Sequence, residues 1–179
     1  MKPADLSRPF LFQARHLLLE VHLPRVEACL RKLAPEQIWW SANSASNSAG
    51  NLVLHLEGNV RQWIVAGLGG RPYRRERDRE FSESGPIPGR ALLTRLRRAV
   101  RDGDRVLRKL DAAGLARSYT IQGFQVTGLD AVFHVVEHFS QHSGQIILLT
   151  KMLAGKDLKF TRLPGEKKRR GKARSLPAV

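Results

Sequence analysis

Three histidines, His134, His138 and His142, recur at spacing four in the run HVVEHFSQHSGQI. On a helix, residues i and i+4 share a face with Cβ atoms about 5–6 Å apart, so two such imidazoles can converge on one ion. Val135, Phe139, Ile146 and Leu149 flank them, and this face is expected to point inward. A buried imidazole needs partners for its ring nitrogens. A divalent metal is one partner; backbone carbonyls and water are the alternative. The pattern lacks the glutamate of H-E-x-x-H proteases. A second stretch, NLVLHLEGNVRQW, puts His55 on a helical face with Leu52, Asn59 and Trp63. Helical bundles build metal sites from side chains on facing helices, and two helices supplying imidazoles fit that plan.

Three neutral imidazoles suit zinc, nickel, iron(II), cobalt or manganese. They also leave a coordination position open, whereas a closed structural site uses a fourth side chain. A metal at such a site brings bound water toward a pKa of about 7 and deprotonates a bound thiol outright. The single cysteine, Cys29, excludes an intramolecular disulfide and a thiolate-rich zinc site. Its setting, VEACLRKL, is apolar and helical, so a buried structural thiol is expected. Glu57 and Glu137 lie near histidines in sequence but point about 200° or 100° away around their helices. Both are expected as solvated carboxylates.

Four helices must carry these residues. The first spans about 6–33, with Pro24 expected to kink or interrupt it. The loop SANSASNSAGN delivers an N-cap at Asn47 or Ser48. The second helix follows over about 49–68, stopped by Gly67, Gly69 and Gly70. The charged stretch 71–88 is expected to form no regular element. A third helix over about 89–113 contains Gly103 as a weak spot. The connection SYTIQGFQV is extended, suited to a short strand or to crossing an end of the bundle. Thr127 to Asp130 then resembles a capping box for the last helix, about 128–153, ending at Gly155. This predicts an all-α four-helix bundle over 1–155.

Composition bounds the rest. The net charge of +15 is uneven: residues 156–174 carry nine Lys/Arg against two acids. A basic, flexible tail over 156–179 is therefore expected, attracting nucleic acid without sequence specificity. The third helix adds seven basic residues between Arg95 and Lys109, so a basic nucleic-acid-binding protein is the non-enzymatic alternative. No zinc-finger spacing, RNA-recognition aromatic motif or helix-turn-helix supports it, and Trp39, Trp40 and Trp63 suit packing. No apolar run reaches the roughly 20 residues that span a bilayer. The N-terminus lacks a signal-peptide pattern, so a cytoplasmic protein without membrane contact is expected.

Together NSAGNLVLHLEGNVRQW, RERDREF and HVVEHFSQHSGQI resemble the DinB/YfiT-like superfamily, in a branch of unestablished activity, over about 6–155. The resemblance implies a four-helix bundle, often a homodimer, with a three-histidine divalent-metal site. It carries the ligands onto His55, His138 and His142, and leaves His134 in a supporting position. It also implies thiol-dependent S-transferase or isomerase chemistry, with a low-molecular-weight thiol as cosubstrate and a small electrophile as substrate. Metal-dependent hydrolysis of a small substrate is the alternative. Ser143 stands where many relatives carry arginine, in HHRGQ. Gln145 is placed to orient a ligand or satisfy a helix neighbour, and Gly144 to permit close helix approach. The segment RPYRRERDREF, with five arginines and three acids, reads as a solvated loop, a cap on the bundle's open end or a subunit interface.

Overall fold

The computed structural model describes residues 5–160. The first helix starts as α1 (Ser7–His16), widens into a π-helical segment, π1 (Leu17–His22), and resumes as α2 (Leu23–Leu30). Pro24 does not interrupt it. In a regular helix the proline ring crowds the carbonyl four residues back. Here the wide turn ahead of it, where the Leu23 N–H reaches the Leu18 carbonyl, makes the room.

A short helix, α3 (Pro35–Ile38), precedes the Ser/Asn loop. Ser48 then caps α4 (Ala49–Val60), its Oγ accepting from the Asn51 backbone N–H at 3.1 Å. The helix continues as π2 (Arg61–Leu68) and ends at Gly69 and Gly70, the latter with φ 68°. Gly67 is not a stop. It lies inside π2, where a Cβ would come within 2.6 Å of the Ile121 side chain.

Residues 71–88 contain a helix after all, α5 (Arg77–Ser82), seated on α4. The third long helix, α6 (Gly89–Leu107), stops earlier than its periodicity suggests, and α7 (Ala112–Ala116) restarts behind an Asp111 cap. Gly103 in α6 is a close-packing point; an added Cβ would meet Val60 at 3.2 Å. The extended connection folds into a hairpin, β1 (Ser118–Ile121) against β2 (Phe124–Thr127), with Ser118 opposite Thr127 and Ile121 opposite Phe124. Its two turn residues, Gln122 and Gly123, both have positive φ, as a type I′ turn requires. The capping box forms as the sequence predicts: Thr127 Oγ1 accepts from the Asp130 N–H, and the Asp130 carboxylate accepts from the Thr127 N–H. It opens α8 (Gly128–Ala154), which closes at left-handed Gly155.

The four long helical segments make the expected all-α bundle. α4 lies at its centre, packed by α5, α6 and α8, and every one of its residues is buried. Leu56, Ile64, Leu96, Val26, Phe139 and Ile146 form the innermost contacts. Cys29 is buried among them, its thiol pKa pushed up by burial. Leu158 and Phe160 still pack on this core, and the remainder of the expected tail, 161–179, lies outside the described residues. No helix among the described residues is long and apolar enough to cross a membrane.

Candidate metal centre

Because α4 is buried on all sides, His55 is only 5% exposed, and it faces α8. The rings of His138 and His142 stand 4.4 Å apart, and His55 lies 4.9 and 5.0 Å from them. One ring nitrogen from each histidine falls within 4.8 Å of the others, and the His55 and His138 Nε2 atoms are 2.8 Å apart. Tetrahedral nitrogens at roughly 2.0–2.1 Å from zinc sit about 3.4 Å from one another, a separation these spacings bracket. The donor set therefore fits one divalent ion.

Two of the three rings face an acceptor outside the cluster through Nδ1. His55 Nδ1 lies 2.9 Å from Glu80 Oε2, and His142 Nδ1 lies 2.6 Å from Gln145 Oε1. Both oxygens accept, so each histidine keeps its Nε2 lone pair. Burial, followed by repulsion from the His142 and His55 imidazoles, pushes the His138 pKa down to about 3. Burial also lowers His142. At neutral pH these two rings are in the uncharged form that metals bind.

Glu80 comes from the segment read as a solvated loop, a cap or an interface; most of that segment is exposed, but Glu80 is buried and turns inward. Its carboxylate is held by Arg75 in a two-pronged ion pair, Nε to Oε1 and Nη2 to Oε2, each 2.7 Å. The Arg75 side chain is 5% exposed. Burial pushes the Glu80 pKa up, but the hydrogen bonds from His55 and Arg75 and the charge of Arg75 outweigh it and hold the carboxyl below its ordinary value. Glu80 reaches His55 by lying over Gly58, where a Cβ would stand 2.0 Å from Oε1. Asn51 fixes α5 above it: its Nδ2 donates to the carbonyls of Glu80, Phe81 and Glu83. Phe81 packs its ring 4.7 Å from His55. Sequence reasoning missed Glu80, Arg75 and Asn51. The available signal was Phe81, one apolar residue among charges, marking the side of the segment that turns inward.

His134 sits one turn from the cluster, its ring 5.2 Å from His138 and 4.1 Å from Trp63, with Nε2 accepting from Asn59 Nδ2 at 3.2 Å. It supports and does not join the group of three. Gln145 satisfies His142, as one of its two expected roles required. Gly144 does not serve helix approach, since nothing lies within 4 Å of where its Cβ would be. Ser143 is fully buried. Glu137 is exposed, but Glu57 is buried and accepts from Arg61 and Arg95, each at 2.8 Å. Arg95, Arg97, Arg105 and Arg108, four of the seven basic residues of the third helix, are paired with carboxylates, which removes much of the expected phosphate-binding face. Trp39 and Trp63 pack into the bundle, whereas Trp40 is 38% exposed.

A crystal structure of a DinB-like protein, YjoA of Bacillus subtilis, is similar in fold, with a TM-score of 0.62 at 18% identity. The match covers 82% of this chain and 94% of that one. No curated protein matches the chain. The bundle and the histidine cluster together fit a metal-binding protein of the DinB-like type. The chain belongs to the family described as Protein of unknown function (DUF1572), a DinB-like family, which it matches over residues 5–167.

Proposed function

We propose that His55, His138 and His142 hold one divalent ion, and that the chain is a metal-dependent enzyme joining a low-molecular-weight thiol to a small electrophile. The observation that carries this reading is the convergence of three imidazole nitrogens from two helices. The ion supplies Lewis acidity, which keeps a thiol ionised near neutral pH. Glu80 anchors His55, Gln145 anchors His142, and both fix which nitrogen faces the ion. Zinc, nickel, iron(II), cobalt and manganese all suit this donor set.

Glu57 is tied to Arg61 and Arg95, and Glu80 to Arg75 and His55, so neither serves as a general base. Either nucleophile then relies on the ion for its ionisation, and thiol transfer is favoured because a thiol is intrinsically far more acidic than water. The single buried cysteine accords with a reducing, cytoplasmic setting. In the same reading a second copy docks on the α8 face bearing Leu129, Phe133, Leu148 and Met152, which are 47–61% exposed. Leu148→Asp is then expected to turn a dimer into a monomer in sedimentation.

Cobalt reports on the chemistry directly. Protein loaded with Co(II) and titrated with a small thiol such as 2-mercaptoethanol is expected to gain a sulfur-to-cobalt charge-transfer band in the near ultraviolet. A cobalt spectrum indifferent to thiol would reject the transferase reading and leave hydrolysis.

A further inference from the structure

A second site lies at the other end of the bundle. We propose that the groove between the ends of π2 and α6 and the start of the hairpin binds a small organic phosphate. The groove has a volume of about 650 Å³, within the usual range for small-molecule sites. Leu68, at its edge, is thirteen residues beyond His55, at the far end of π2.

Five cations line it: Arg71, Arg105, Arg108, Lys109 and Arg117, against the single carboxylate of Asp111. Asp111 is occupied as the cap of α7. Asp102 and Asp104 counter Arg105 and Arg108. Among the described residues, Arg71, Lys109 and Arg117 have no carboxylate within ion-pair distance. Arg117 is nonetheless fixed in place. Its guanidinium lies 4.6 Å over the Tyr119 ring and donates to the Tyr119 hydroxyl at 3.0 Å, which itself donates to the Gly114 carbonyl at 3.1 Å. Three uncountered cations around one hollow call for a multiply charged anion, and guanidinium forks match phosphate oxygens. Leu68, Val106 and Leu110 give the groove an apolar floor, which suits a ligand with a hydrocarbon or aromatic body.

The test uses the full chain stripped of metal by chelation, titrated calorimetrically with phenyl phosphate and with inorganic phosphate. Phenyl phosphate is expected to bind at least tenfold more tightly. Arg117→Ala and Lys109→Ala, both exposed positions, are each expected to weaken it about threefold, and the pair about tenfold. His138→Ala is expected to leave it unchanged, separating this site from the metal centre. Displacement by a 5′-phosphorylated oligonucleotide would assign the phosphate to a nucleic-acid end, and its failure to displace would assign it to a free metabolite; either sustains the site. Equal affinity for the two phosphates, undiminished binding in the folded double variant, or loss of binding in His138→Ala would each overturn it.

Discussion

Glu80 links the charged segment to the histidines, and its removal separates support from ligation. Glu80→Gln is expected to weaken metal retention about 10–100-fold in competition with a chelator. It also leaves the buried Arg75 guanidinium without its counter-charge, so the melting temperature should fall. The histidines themselves predict a pH dependence. Folded His138 takes up its proton only near pH 3, whereas an unfolded histidine does so near 6.5. Between those values the unfolded chain binds more protons, so stability falls as the pH drops through the window. His22, His134 and His142 are shifted the same way. Glu80, held low, contributes stability that is present above about 4.5 and lost as pH falls through its folded value. Metal-free protein should therefore lose urea resistance from pH 6.5 downward, and His138→Gln should flatten the upper part of that loss. The spacing of four was legible as one helical face bearing His134, His138 and His142, and the family resemblance singled out His138 and His142, with His55, as ligand candidates. Glu80 was not, because alternating charge does not reveal which carboxylate turns inward, and nothing in Gly58 announces that a carboxylate will cover it.

At the scale of elements, two caps should behave differently. Thr127→Ala removes the first-turn bond of α8 and is expected to cost about 1 kcal/mol of stability in urea while leaving metal affinity intact. Asn51→Ala strips the carbonyls of Glu80, Phe81 and Glu83, in and just after α5, of their donor and releases the helix that presents Glu80. It should lower stability and metal affinity together. The N-caps of α4 and α8 were readable, since Ser48, Thr127 and Asp130 are residue types that compete for helix ends, whereas the reach of Asn51 to α5 was not. The π segments were not: one runs up to Pro24 and the other packs Gly67 against Ile121, contacts that the helical periodicity does not show. The hairpin escaped firm assignment because its turn is Gln122-Gly123, outside the commonest Asn-Gly and Asp-Gly signals.

For the whole molecule, the bundle exists to bring α4 and α8 face to face, and its charge is more internally balanced than the composition suggests. Arg15 pairs with Asp104 and Arg97 with Glu27, joining the first and third long helices on the outside of the core. Buried α4 sets the position of His55, and the capped α8 sets His138 and His142 against it. The most direct test is metal content per chain, on protein purified without a nickel-affinity step, for the natural sequence, His55→Ala and His138→Ala. Near-stoichiometric metal in the natural protein, lost in both variants while the helical circular dichroism persists, is the predicted result. A folded natural protein that carries no metal and takes up none of the added divalent ions would contradict the account.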